Sequence, residues 1–95
     1  ITYHQLGMIA QKRRDFGSAE KCYKKAMDIF AKQGDEHSAA STYGQFGILA
    51  GLQGDFEESG KYLIKAILLF SKYNDPVGVE GNKNNFQIFY KQADQ

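Results

Sequence analysis

The chain matches itself at an offset of forty residues. The pattern Thr2-Tyr3-x-Gln5-x-Gly7-x-x-Ala10 recurs as Thr42-Tyr43-x-Gln45-x-Gly47-x-x-Ala50. The same offset relates further pairs, namely Asp15-Phe16 and Asp55-Phe56, Lys25-Ala26 and Lys65-Ala66, Phe30 and Phe70, and Lys32-x-x-Asp35 and Lys72-x-x-Asp75. A fixed period of this size is typical of solenoids, in which each unit buries its apolar face only against its neighbours. The repeat therefore favours a binding surface over a catalytic pocket as the basis of function.

Helical periodicity fills the sequence between regularly spaced turns. Apolar and small residues step by three and four, as they do along Phe16, Ala19, Tyr23, Ala26 and Phe30, and no strand-like alternation interrupts them. Each turn holds an aspartate placed to cap the next helix, and Pro76 suits the first position of the last helix. The prediction is an all-α chain of five antiparallel helices at roughly residues 1–12, 16–33, 36–53, 56–73 and 77–92.

The internal alignment also divides the 95 residues into parts of one domain. The first repeat covers roughly residues 1–35, the second 36–75, and a C-terminal capping helix 76–95. Because residue 1 aligns inside a helix of the second repeat, we expect the first helix to be truncated by about five residues and the chain to be part of a longer protein. The last helix departs from the pattern, with Gln87 in place of Gly47 and Lys83 in place of Tyr43, as terminal repeats do.

These residues resemble the tetratricopeptide repeat family. The family pattern is an aromatic residue, a Leu-Gly pair, a Tyr-type position, an alanine, a second aromatic residue and a final small residue at set spacings. The first repeat has Tyr3, Leu6-Gly7, Ala10, Ala19, Tyr23 and Ala26, and the second has Tyr43, Phe46-Gly47, Ala50, Ser59, Leu63 and Ala66. The resemblance implies a right-handed solenoid of helical hairpins, with the small residues where paired helices approach closely.

The chain departs from the family pattern in three ways, the first being that Ala10 and Ala50 stand where a tyrosine is common. Ala31 and Ser71 replace the usual closing proline, and the period is longer than the usual thirty-four residues. The longer unit is similar to repeats in bacterial signalling and scaffold proteins. Their function, as the resemblance implies it, is to bind another protein without catalysis.

In this family the first helix of each repeat lines a concave groove that binds peptides. By position, the groove residues expected here are His4, Gln5, Met8, Gln11 and Lys12, then Gly44, Gln45, Ile48, Gly51 and Leu52, then Asn84, Asn85, Ile88 and Lys91. Gln5, Gln45 and Asn85 occupy equivalent positions and form a polar ladder suited to the backbone of an extended peptide. The alternative interpretation is a solvated polar face without a ligand. The paired Lys and Asn residues with which some members grip a terminal carboxylate are not matched, which disfavours that ligand.

Two further features have alternative interpretations. Gly44 and Gly51 on one helical face predict a bare groove floor around Ile48, or else simple tolerance of small residues. Ile64 and Leu68 replace the polar Lys24 and Asp28 of the first repeat. They predict either self-association with another chain or burial by the C-terminal segment.

Charge and cysteine content exclude several classes of function. The formal net charge of +1 predicts no nucleic-acid or membrane-surface partner. Cys22 is the sole cysteine, so there is no internal disulfide, and we expect a reducing, cytoplasmic setting. His4, His37 and Cys22 form no catalytic or metal-ligand pattern, and we expect no cofactor and no enzymatic activity.

The sequence thus predicts a non-catalytic scaffold that binds a peptide or helix of another protein on its groove. The alternative is a structural segment, either a spacer in a longer array or a homo-oligomer formed through open solenoid ends.

Overall fold

Five α-helices account for the described part of the chain, which is residues 1–94 of the computed structural model. They are α1 (Tyr3–Lys12), α2 (Phe16–Gln33), α3 (Glu36–Leu52), α4 (Phe56–Lys72) and α5 (Pro76–Ala93). Residues 1–94 contain no strand. The predicted all-α fold of five helices is confirmed, and every helix end lies within two residues of its expected place. No helix in this range is both long and apolar enough to cross a membrane.

The four predicted aspartate caps are present at the starts of α2 to α5. Each carboxylate accepts a hydrogen bond from the backbone amide three residues later, at distances of 3.1 to 3.3 Å. At Asp35 the Ser38 hydroxyl also donates to the carboxylate at 2.6 Å, which lowers the pKa of the carboxyl group. The first helix begins at Tyr3 because Thr2 and Gln5 form a reciprocal capping box. The capping aspartates, in chain order, are Asp15, Asp35, Asp55 and Asp75.

The turns between helices share one backbone feature. Each contains a residue in the left-handed region, with φ between 53° and 83°, and these residues lie twenty positions apart. Only two of the four are glycine, so this turn geometry does not depend on glycine alone. They are Arg14, Gly34, Gly54 and Asn74.

The helices form two layers. Each helix packs against the next one in the chain, and α3 also contacts both α1 and α5. The odd helices α1, α3 and α5 therefore form one layer, and the even helices α2 and α4 form the other. This is the helical-hairpin solenoid that the repeat predicts, with each even helix seated between two odd ones.

Glycines of the repeat pattern lie where hairpin partners approach most closely. A Cβ atom on Gly7 would lie 2.5 Å from the Tyr23 ring, and one on Gly47 would lie 2.6 Å from Leu63. Tyr23 and Leu63 are fully buried, at the centre of their hairpins. The predicted role of these small residues is confirmed, because a larger residue would separate the helices.

Candidate functional site

One face of the odd-helix layer points away from α2 and α4. On α3, Phe46 and Gly47 face α4, and helical periodicity places Gln45, Ile48 and Leu52 about half a turn round from them. The forty-residue offset places matching residues on α1 and α5. We call this set the odd-helix stripe: Gln5, Met8 and Lys12 on α1, Gln45, Ile48 and Leu52 on α3, and Asn85 and Ile88 on α5.

The odd-helix stripe consists of rows that cross the three helices. The first row is the predicted ladder of side-chain amides, Gln5, Gln45 and Asn85. The second row is apolar and contains Met8, Ile48 and Ile88, the last of which is 51% exposed. A third row begins with Lys12 and continues at Leu52, which is 42% exposed. A ligand lying across the helices would meet amide groups along one edge and apolar groups along the next.

The amides of α1 and α3 are oriented by bonds inside the fold. Gln5 Oε1 accepts from the Thr2 backbone amide at 2.9 Å. Gln45 Oε1 lies 3.5 Å from the Tyr23 hydroxyl, whose single proton is donated at 2.9 Å to Gln11 Oε1. The Gln5 oxygen thus has an internal donor, which leaves its side-chain NH2 group available for another acceptor. Side-chain NH2 groups donate to carbonyl oxygens, the acceptors that a peptide backbone offers.

His4 and Gln11 belong to contacts inside the fold and not to the stripe. His4 Nδ1 lies 3.0 Å from the Thr42 hydroxyl of α3, and burial lowers the pKa of the imidazole. Gln11 Oε1 accepts from the Tyr23 hydroxyl at 2.9 Å, and burial raises the pKa of Tyr23 to about 12. Both side chains join α1 to its neighbours, and a part for them in binding a ligand stays a prediction.

The prediction that Gly44 and Gly51 leave the surface around Ile48 open is wrong. A Cβ atom on Gly44 would lie 2.6 Å from Asn82 Oδ1, and one on Gly51 would lie 2.5 Å from the Phe89 ring. Both glycines are buried because α5 lies directly over them. Gly44 is therefore a helix-packing residue, and Ile48 is flanked by α5 instead of open space.

Asn84 and Lys91 of α5 occupy the positions that Gly44 and Gly51 occupy on α3. On α3 those positions face the next odd helix, and on α5 they are exposed. They flank the odd-helix stripe and do not form part of its rows.

Ile9, an apolar residue beside the odd-helix stripe, is not among the residues predicted from the sequence. Ile9 and Ile1 join Gln5, Met8 and Lys12 around a shallow depression of about 360 Å³ on α1. In the forty-residue alignment Ile9 corresponds to Leu49, a residue that is buried beside α2. An apolar residue at such a position is expected to lie inside the fold. Ile9 is exposed although Leu49 is buried, and the sequence does not give the exposure of either side chain.

The predicted self-association residues lie on the outer side of α4. Ile64 is 48% exposed and Leu68 is 65% exposed. The interpretation that the C-terminal segment buries them is wrong for residues 1–94, because Ile64 lies beside α5 at the edge of a depression without being covered, and Leu68 is exposed. The self-association itself stays a prediction.

The groups considered for catalysis lie apart from one another. His37 Nε2 pairs with Asp75 Oδ2 at 3.0 Å, between the starts of α3 and α5. Cys22 is a partly buried free thiol on α2. Within residues 1–94 no three His, Cys, Asp or Glu side chains come together in a way that could hold a metal ion.

Comparison with known families supplies the decisive observation. A family model described as tetratricopeptide repeat matches residues 1–72, which is α1 to α4. The chain belongs to the tetratricopeptide repeat family. Its repeats generally mediate protein–protein interactions and are typically not catalytic. The match ends with α4, and the α5 of this tetratricopeptide protein is the helix whose residues depart from the repeat pattern. Comparisons with curated proteins and with solved structures gave no match.

Proposed function

We propose that the protein is a scaffold that binds a peptide or a helix of a partner protein on the odd-helix stripe. The observation that carries the proposal is the paired rows, in which side-chain amides run beside half-buried and exposed apolar side chains across three helices. Such a surface satisfies the backbone of a bound segment and buries alternate side chains at the same time. The bacterial signalling context and the cytoplasmic setting stay predictions.

The stripe suits a ligand that crosses the odd helices. Packed helices lie about 8–10 Å apart, so rows of matching residues repeat at about that spacing. A helical ligand repeats its face every seven residues, or about 10.5 Å, and an extended one repeats every two residues, or about 7 Å. Both repeats come within about 3 Å of the row spacing, so a helical or an extended segment can place side chains on Met8, Ile48 and Ile88.

The experiment selects peptides from a displayed library on the intact protein and then measures their affinity for variants. Ile48→Asp places a charge in the apolar row, and we expect the dissociation constant to rise at least about ten-fold, as for loss of a central contact. Gln45→Ala should weaken binding less, because it removes one amide.

The matched control is Ile29→Asp, the same chemical change at a partly exposed isoleucine of α2 in the other layer. Circular dichroism and thermal unfolding verify that each variant folds. If well-folded Ile48→Asp retains the parent affinity, or if Ile29→Asp weakens binding equally, the odd-helix stripe is not the binding surface.

A further inference from the structure

The turn between α1 and α2 holds the only run of three basic residues in the sequence, Lys12, Arg13 and Arg14, which we call the basic turn. All three residues are exposed. Within residues 1–94 none of them forms an ion pair, and the Arg14 guanidinium lies 5.1 Å from the centre of the Phe16 ring. Asp15 offsets one of the three positive charges, so the turn keeps a net charge of +2.

The basic turn is exposed because it lies at the tip of a helical hairpin. Its equivalent in the second repeat is Leu52-Gln53-Gly54, which is also exposed although helices flank that hairpin on both sides. The fold therefore leaves such turns open in the middle of the array as well as at its edge. The second repeat has no cation at these positions, so the positive charge is specific to the first turn.

A depression of about 320 Å³ between α2 and α4 has the opposite charge, and we call it the acidic depression. Part of its lining is apolar and includes Phe46 of α3 and Tyr62 of α4, whose rings stack with centroids 5.2 Å apart. Its three walls, α2, α3 and α4, are all present, so the depression is not an open end of the array. The carboxylates that line it are Glu20, Asp55 and Glu58.

The ion pairs around the acidic depression leave it with a net negative charge. Glu20 pairs with Lys24 at 3.1 Å. Lys61 is shared between two carboxylates, with its Nζ atom 3.6 Å from Glu58 and 3.8 Å from Glu57. With the capping aspartate of α4, four carboxylates face two ammonium groups, which is a net charge of −2. The depression thus balances the charge of the basic turn.

We propose that the protein self-associates, with the basic turn of one copy seated in the acidic depression of a second copy. Arginine suits this place because its planar guanidinium binds carboxylates through paired hydrogen bonds and stacks on aromatic rings such as Tyr62. The apolar part of the lining accommodates the methylene stem of the side chain. The contact is separate from the odd-helix stripe and from Ile64 and Leu68, and it does not depend on either.

Both surfaces lie at the same end of the helices. Glu20, near the start of α2, and Asp55, in the α3–α4 turn, line one depression, and α2 begins directly after the basic turn. A two-fold axis at this end therefore permits each turn to enter the depression of the other copy, so that the contact is made twice. Single exposed ion pairs are weak and are screened by salt, so we expect a weak, salt-sensitive dimer.

Sedimentation velocity of the intact protein measures this self-association. At about 10 mM salt, where the Debye length is about 30 Å, we expect a dimer that is detectable below about 1 mM protein. At about 1 M salt, where the Debye length is about 3 Å, the dissociation constant should be at least about ten-fold higher.

Two variants each change one of the surfaces. Arg13→Gln with Arg14→Gly copies the Gln53-Gly54 pair, which the fold accommodates at the equivalent turn. Glu20→Lys with Glu58→Lys reverses the charge of the acidic depression. We expect each variant to raise the dissociation constant at least about ten-fold at low salt, as loss of charged partners at an interface does.

The matched control is Lys32→Gln with Lys83→Gln, which removes two positive charges at exposed lysines outside both surfaces. Its net charge equals that of the variant with Arg13→Gln and Arg14→Gly, so it separates a specific contact from a general effect of net charge. The control should dimerise like the parent. Circular dichroism and thermal unfolding verify that every variant folds.

Mixing two charge-reversed variants tests whether the two surfaces touch each other. One carries Arg13→Glu with Arg14→Gly, and the other carries Glu20→Lys with Glu58→Lys. Each should be monomeric alone, because its turn and its depression then carry the same sign of charge. Together they should form a 1:1 complex, because each turn then faces a depression of opposite charge.

Four results would overturn the proposal. One is the absence of self-association up to about 1 mM protein at about 10 mM salt, which leaves a basic segment of another protein as the occupant. Another is a dimer whose affinity neither salt nor the two variants change, as an apolar contact through Ile64 and Leu68 predicts. The third is equal weakening by the control. The last is the failure of the two folded, charge-reversed variants to associate when they are mixed.

Discussion

Replacing Gly51 by alanine tests whether the close packing of α5 on α3 limits the stability of the fold. In an exposed helix interior, alanine is more favourable than glycine by about 1 kcal/mol. At Gly51, however, the new Cβ would lie 2.5 to 2.6 Å from three atoms of the Phe89 ring, which is buried. Overpacking of this kind costs about 1–3 kcal/mol. The packing cost is therefore expected to cancel or exceed the helix-propensity gain.

Gly81→Ala is the matched control, because a Cβ atom there meets nothing within 4 Å and the residue is also helical. We expect Gly81→Ala to raise the free energy of unfolding by about 1 kcal/mol and Gly51→Ala to leave it unchanged or lower it by up to about 2 kcal/mol. Urea denaturation of the parent and both variants measures the difference. A change in the unfolding midpoint at constant m-value identifies a stability effect.

A double-mutant cycle locates the origin of the cost. Phe89→Leu copies Leu49, the residue at the equivalent place on α3. If the Phe89 ring is the obstacle, Gly51→Ala should be tolerated better in the Phe89→Leu background, with a coupling energy of about 0.5–3 kcal/mol. Equal stabilisation by Gly51→Ala and Gly81→Ala, with no coupling, would refute the packing argument for α5.

Two further predictions concern buried polar groups. The Ser59 hydroxyl is fully buried and has no hydrogen-bond partner among residues 1–94. Ser59→Ala, which copies Ala19, should therefore raise the free energy of unfolding by about 1 kcal/mol, and a lower melting temperature would contradict this. For His4, burial lowers the imidazole pKa, whereas the unfolded chain binds the proton at the ordinary value of 6.5. Stability should thus be complete above that pH and decline as the pH falls through the lowered pKa. This decline should be smaller in His4→Gln, and identical pH profiles of the two proteins would argue against it.

Much of the architecture follows from local sequence. The caps at Asp15 and Asp75 and the proline at Pro76 depend on neighbours within one helical turn, so their positions could be predicted to within two residues. The amide ladder of Gln5 and Gln45 also follows from the repeat, because a fixed period and the helical pitch together place equivalent residues on one face.

The sequence could not determine which side of each odd helix is covered by the neighbouring odd helix. Gly44 and Gly51 have the same spacing whether they are bare or lie under Asn82 and Phe89, and only the packing of α5 decides between the two. His4 likewise needs Thr42 of another helix before its role is defined.

The sequence by itself therefore determined the helices, their caps and the repeat, because each depends on residues a few positions apart. The tertiary structure alone decided which small residues are packing contacts. The reason is physical: the burial of a side chain depends on what lies against it, and in this chain those neighbours are about forty residues away.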